Sequence, residues 1–126
     1  MRVLLDTNAL LWLLEDDTRL SSSARAAIKN ASEILISEIS LWEISIKINI
    51  GKLTHIAGLY ETIENLGFRR LNIKDSYLAK YETLPLIHRD PFDRMLVAQA
   101  LTEEITLLTS DDVLKEYGVK IIFADR

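Results

Sequence analysis

Short apolar runs alternate along this chain with longer stretches in which apolar residues recur every three or four positions. Val3-Leu4-Leu5 is an unbroken apolar run stopped by Asp6-Thr7-Asn8, the pattern of a buried strand entering a turn. A short helix is expected over 9–14, and Ser21-Ser22-Ser23 offers N-cap choices for another reaching Ala31. Ile34-Leu35-Ile36 repeats the strand pattern. Ser37 then caps a helix in which Ile39, Trp42, Ile46 and Ile50 recur at helical spacing until Gly51 stops it. Helices are expected over 56–66, ending at Gly67, and over 75–82, capped by Asp75, with a weak strand over 68–73 between them. Asp90-Pro91 is the clearest helix start. Asp suits the N-cap, and Pro suits the first helical position, where its missing N–H costs nothing. Leu96, Val97, Ala100 and Leu101 give that helix its apolar stripe. A strand over 105–108, a short helix opened by Asp111 and reaching Tyr117-Gly118, and a strand over 119–123 complete the series.

Strands alternating with helices predict an α/β fold with a parallel sheet covered on both faces. Residues 1–126 are expected to form one domain, with no repeat, low-complexity tract or interdomain linker. In such sheets sites gather beyond the carboxyl ends of strands, at a topological switch point. Asp6 and Asp111 both fall just after expected strands. If those strands are neighbours, the two side chains meet at one rim.

Composition narrows the chemistry. The chain has no cysteine, which removes disulfides, zinc–thiolate sites and thiol catalysis and suits a reducing cytoplasm. No run of about 18 apolar residues is present to span a bilayer, and the apolar N-terminal stretch carries Asp6 and no small-residue cleavage site. No membrane partner is expected. The net charge of −4 argues against simple charge-driven nucleic-acid binding, although metal ions would offset part of it. Contact with nucleic acid would then fall to local basic residues, with Lys47, Lys52, Arg69, Arg70, Arg89 and Arg94 as candidates. Taken singly, most of these read as solvated surface charges. The absence of a Gly-rich phosphate loop and of a Gly-x-Ser-x-Gly elbow argues against nucleoside triphosphate hydrolysis and serine acyl transfer.

Four acids stand at strand ends or helix starts: Asp6, Glu43, Asp93 and Asp111. Each has a local explanation. Asp6 and Asp111 can cap the helices that follow, Ser40-Leu41-Trp42-Glu43 spells a capping box, and Asp93 suits the first-turn helix dipole. Together they describe an acidic pocket built from distant segments. Clustered carboxylates repel unless a cation neutralises them, and converging oxygens attract a hard divalent ion such as Mg²⁺. Such an ion binds phosphates and activates water, which points to a metal-dependent nuclease. Thr7, Asn8 and Thr109 are placed to hold carboxylates or a water, while Ser110 is a weaker candidate. Arg94 is expected to support the pocket or meet phosphate, with a salt bridge to a neighbouring acid as the alternative. His88 reads as a surface-loop histidine rather than a substrate contact, and His55 and His88 are not spaced as a metal pair. Trp12 and Trp42 fall on apolar helical faces, so packing in a core or interface is expected in preference to base stacking.

The runs Leu4-Leu5-Asp6-Thr7-Asn8, Ser40-Leu41-Trp42-Glu43-Ile44-Ser45-Ile46-Lys47, His88-Arg89-Asp90-Pro91-Phe92-Asp93-Arg94 through Ala100, and Leu108-Thr109-Ser110-Asp111 occur in the order and spacing of PIN-domain proteins. The chain most resembles the small VapC-type ribonuclease toxins of prokaryotic toxin–antitoxin pairs, and the resemblance covers nearly its whole length. It implies a three-layer α/β/α fold around a parallel sheet of about five strands. It also implies Mg²⁺- or Mn²⁺-dependent endonucleolytic cleavage of RNA. By position, the four family acids fall on Asp6, Glu43, Asp93 and Asp111. Asp90 matches the helix start and Asp112 matches no motif acid. The resemblance further implies a homodimer silenced by an antitoxin whose tail occupies the active-site groove. Some relatives carry a second histidine where this chain has Ile87.

Two other readings remain open at this level. An aspartate-based phosphotransfer domain also binds Mg²⁺ at strand ends, but it expects an acid pair or Asp-x-Asp at the first strand, where this chain has Asp6-Thr7-Asn8. A catalytically silent interaction module on the same fold is weakened by the presence of all four acids.

Overall fold

A computed structural model describes residues 1–126. Five strands, β1 (Arg2–Leu5), β2 (Glu33–Ser37), β3 (Arg69–Leu71), β4 (Thr106–Thr109) and β5 (Ile121–Phe123), form one sheet in the order β3-β2-β1-β4-β5. All four pairings are parallel. The helices are α1 (Thr7–Leu14), α2 (Ser22–Asn30), α3 (Glu38–Asn49), α4 (Leu59–Asn65), α5 (Asp75–Thr83) and α6 (Pro91–Glu103), and a 3₁₀ helix spans Asp112–Tyr117.

Why β1 and β2 are apolar without interruption follows from their burial on both faces. Alternate residues point to opposite sides of a strand. Val3 and Leu5, with Ile34 and Ile36, pack against Leu10, Ala24, Leu41, Ile44 and Ile63 on one side. Leu4, Leu35 and Leu107 pack against Tyr77, Leu96, Val97 and Leu114 on the other. Two cores thus flank the sheet, with α1–α4 over one face and α5, α6 and the 3₁₀ helix over the other, which is the three-layer α/β/α arrangement expected from the sequence. No helix is long and apolar enough to cross a membrane.

Several local expectations are corrected. Ser37 does cap α3, its hydroxyl accepting from the Ile39 N–H at 3.1 Å, so Ser40-Glu43 is not a capping box. The Ser40 hydroxyl instead lies buried without a hydrogen-bond partner. Lys74, not Asp75, occupies the α5 N-cap, and Asp75 lies in the first turn. The fourth helix begins at Leu59 rather than Ile56, because Gly58 turns the chain through the left-handed region at φ 69°. The last helix is 3₁₀, held by the Asp111 carboxylate at its start and Gly118 at its end. Trp42 is not a core residue: it is 59% exposed, with its ring edge-on to Phe92 at 5.4 Å. Trp12 is partly buried against the first core.

Candidate metal centre

The strand order places the switch point between β1 and β4. From β1 the chain builds outward through β2 to β3, then returns to the far side of β1 for β4 and β5. Leu5 pairs with Leu108, so the residues that follow both strands leave the sheet side by side. Asp6 is fixed there by its own backbone, whose N–H donates to the Leu108 carbonyl at 3.0 Å. Its carboxylate caps α1, accepting from the Ala9 N–H at 2.8 Å. The capping explanation therefore holds for Asp6, and the same side chain also lines a polar cavity. Asp111 behaves alike: Oδ1 accepts from the Val113 N–H at 3.1 Å, and the Asp111 N–H donates to the Thr109 hydroxyl at 3.1 Å.

Helices bring the other two acids. Glu43 projects from α3, where one oxygen accepts from the Thr7 hydroxyl and the other meets Lys47 Nζ at 3.2 Å, one helical turn on. Asp93 lies in the first turn of α6, which Asp90 starts by accepting from the Phe92 N–H at 2.8 Å and the Asp93 N–H at 3.4 Å. Asp93 itself accepts no hydrogen bond; its nearest cationic candidate is His88 Nε2 at 3.8 Å. Asp6, Glu43, Asp93 and Asp111 line one cavity of about 150 Å³ together with Thr7, Asn8, Lys47, Asp90 and Ser110, and no apolar side chain enters its wall. A larger cleft of about 490 Å³ opens at the other end of the sheet, around Ile105, Val119 and Lys120. It contains one carboxylate and no converging donors, so the chemistry points to the smaller cavity.

The electrostatics are those of crowded anions. Burial pushes the Asp6 carboxyl up to about 6, the Thr109 hydroxyl and Ala9 N–H pull it back, and the charges of Glu43 and Asp111 raise it again. Burial also pushes Asp93 up to about 7, with Asp90 and Asp6 adding repulsion, His88 opposing it and Glu43 adding to it. Two carboxyls pushed up by desolvation and mutual repulsion are a site short of positive charge. The donor set is carboxylate and hydroxyl oxygen, which fits a hard divalent cation and no soft one.

The supporting residues are distributed as follows. Thr7 is buried and holds Glu43, and Thr109 is buried and touches both Asp6 and Asp111. Asn8 stands exposed at the rim. Arg94 does not face the cavity. It is 6% exposed, forms no salt bridge, donates to the carbonyls of Pro85 (3.1 Å) and His88 (3.3 Å), and stacks on Tyr81 at 4.9 Å. Both the phosphate and the ion-pair expectations for Arg94 are corrected; only its supporting role survives, through the loop before α6. Arg69 and Arg70 sit on the outermost strand, paired with Glu33 and Glu38. Lys47 is the one basic residue of the six candidates that lines the cavity. Asp112 pairs with Arg126 at 2.9 Å, away from it.

His88 is the residue that sequence reasoning missed. It is no free surface histidine: Nε2 lies 2.7 Å from Asp111 Oδ2. His88, Asp93 and Asp111 bring one ligand atom each within 4.8 Å of one another. Its sequence signals were its position two residues before the Asp90 cap and its place at the head of the family block His88-Arg89-Asp90-Pro91-Phe92-Asp93. Those signals gain meaning only when the end of β4 comes alongside the start of α6.

Comparison with known proteins agrees with this geometry. The PIN domain family model matches residues 3–120. Ribonuclease VapC22 of Mycobacterium tuberculosis is 30% identical over 123 residues, covering 91% of both chains. Among solved structures, FitAB bound to an IR36 DNA fragment superposes with a TM-score of 0.75 at 17% identity, covering 98% of this chain and 96% of that one. VapBC2 from Rickettsia felis, bound to a fragment of its promoter DNA, gives 0.71 at 18% identity, covering 99% and 100%. With four acids lining one cavity at the switch point of a five-stranded parallel sheet, the chain belongs to the PIN-domain family, among its VapC-type members.

Proposed function

We propose that this protein is a divalent-metal-dependent endoribonuclease that serves in the cytoplasm as the toxin of a toxin–antitoxin pair. The observation that carries this reading is the convergence of Asp6, Glu43, Asp93 and Asp111 on one polar cavity at the carboxyl edge of β1 and β4. The similarity to a protein named as a ribonuclease supports the activity, and the likeness to toxin–antitoxin complexes supports a protein partner.

Asp6 and Asp93 are the residues that would hold Mg²⁺ or Mn²⁺, directly or through water, with Glu43 and Asp111 completing the ring. When bound, that ion polarises the scissile phosphate and makes water a better nucleophile. The protein's own part is positioning. Thr7 and Lys47 hold the two oxygens of Glu43, and Val113 and His88 hold those of Asp111, so both acids face the cavity in fixed directions from which they can orient an attacking water. Lys47 gives the cavity wall a positive charge for a phosphate oxygen. Attack by water leaves a 3′-hydroxyl and a 5′-phosphate, and the RNA 2′-hydroxyl takes no part. Exposed Trp42 and Tyr60 beside α3 offer apolar surface for a second copy of the chain or for the antitoxin.

The test is to map RNA ends after brief expression, beside Asp6→Asn and Asp93→Asn controls, and to repeat cleavage with purified protein. Growth arrest and 5′-phosphate ends are expected for the wild type only, with cleavage stopped by EDTA and restored by Mg²⁺ or Mn²⁺. EDTA-resistant cutting, or full activity in either variant, would defeat the assignment.

A further inference from the structure

His88 has no idle polar group. Its backbone N–H donates to the Tyr117 hydroxyl at 2.9 Å, and its carbonyl accepts from Arg94 at 3.3 Å. Its Nδ1 lies 2.9 Å from the Asp90 backbone nitrogen, and its Nε2 lies 2.7 Å from Asp111 Oδ2. The Asp90 contact decides the rest. A backbone N–H only donates, so Nδ1 must accept, and the ring proton resides on Nε2. Nε2 then donates to Asp111 and has no lone pair left for a metal. A short distance among His88, Asp93 and Asp111 therefore looks like a three-ligand cluster but contains only carboxylate ligands.

We propose that His88 is a positioning residue of the acidic cavity: locked as the Nε2–H tautomer by the Asp90 amide, it donates to Asp111 and fixes how that carboxylate faces the cavity. Its catalytic consequence rests on the nuclease reading above, whereas the tautomer and the contact do not. The support runs deeper than one bond. Arg94 is buried without an acid partner, and a desolvated guanidinium is costly unless its donors are used. Its Nη1 lies within hydrogen-bond distance of Pro85 O, His88 O and the Tyr117 hydroxyl, so the segment carrying His88 is pinned to α6 and to the 3₁₀ helix at once. Donors that orient a ligating carboxylate typically change metal affinity or activity by about 10–100-fold when removed. The arrangement also gives the His-Arg-Asp-Pro start of α6 one joint purpose: Asp90 caps the helix with its carboxylate and sets the histidine proton with its amide.

The first measurement is a long-range ¹H–¹⁵N correlation spectrum of the metal-free wild-type protein with ¹⁵N-labelled histidine at neutral pH, repeated with saturating Mg²⁺. His88 is expected to carry its proton on Nε2 in both. A proton on Nδ1, or loss of the Nε2 proton on adding Mg²⁺, would overturn the proposal. The second compares His88→Ala, His88→Asn and His88→Gln for kcat, KM and Mn²⁺ affinity, with circular dichroism confirming the fold. Ala and Asn place no donor at Asp111, and a loss of about 10–100-fold in kcat or Mn²⁺ affinity is expected for both. Gln carries an amide NH₂ near the Nε2 position and should recover most of that loss. Wild-type values in His88→Ala would remove the residue from the site. If the variants fail to fold, the wild-type spectrum still decides. If the wild type fails to cut RNA at all, the nuclease reading falls while the tautomer remains testable.

Discussion

Asp93 is the acid least cared for by the protein itself. Asp6 receives the Ala9 N–H, Glu43 the Thr7 hydroxyl, and Asp111 the Val113 N–H, but no donor reaches Asp93. Asp93 is pushed up to about 7 and Asp6 to about 6, from about 4 in an unfolded chain. Between those values the folded state binds more protons than the unfolded state, so metal-free stability falls as pH rises. Urea unfolding in EDTA should show a decline from about pH 4 to about pH 7, on the order of a few kcal/mol, opposite in sign to ordinary acid denaturation. Asp93→Asn removes a half-buried charge and keeps the shape. The metal-free variant should be more stable than the wild type at pH 7.5 by about 1–3 kcal/mol while losing cleavage. A wild-type pH curve that stays flat or rises over this range would contradict the crowded-anion description.

Among the elements, α6 matters most, because its first turn belongs to the site and its body to the core. Asp90 and Pro91 start it, Asp93 faces the cavity, and Leu96, Val97 and Ala98 are fully buried beneath the sheet. Asp90→Ala should cost about 1 kcal/mol in unfolding experiments, as for other lost N-caps. Arg94→Met, which leaves the carbonyls of Pro85 and His88 without their donor, should cost about 2–4 kcal/mol by the same measurement. It should also lower cleavage, although Arg94 never faces the cavity. At the far end of α3, Gly51 adopts φ 79° with open space where a Cβ would stand. Gly51→Ala should therefore cost about 1 kcal/mol from backbone conformation alone, without a steric clash.

For the whole molecule, the decisive feature is a cavity whose four acids come from four separate elements or their ends. A cation bound there would tie β1, α3, α6 and β4 together and would bind the folded chain only. Mg²⁺ at a hundredfold excess over its Kd should stabilise the protein by about 2.7 kcal/mol, read as a rise in Tm. The rise should vanish in Asp6→Asn. An equal rise in that variant would place the ion elsewhere. Stabilisation by Mg²⁺ at constant pH also separates this cavity from a cluster that merely caps helices, since caps gain nothing from a divalent ion.

The sequence by itself determined the order of the elements and the burial of the central strands. Unbroken apolar runs at 3–5 and 34–36 mark strands covered on both faces, and Asp90-Pro91 marks a helix start, because these are local rules of sterics and hydrogen bonding. It also carried the family blocks, and with them the four acids. The tertiary structure decided which of those acids share a wall, since parallel pairing of β1 with β4 across the intervening chain leaves no local periodicity to read. It turned Arg94 inward, because its partners are backbone carbonyls that have no sequence signature. It exposed Trp42, whose helical spacing matched a core stripe but whose face looks past Phe92 to solvent. And it gave His88 its place, because a histidine is identified by what surrounds its two nitrogens, and here those surroundings come from the α6 start and the end of β4.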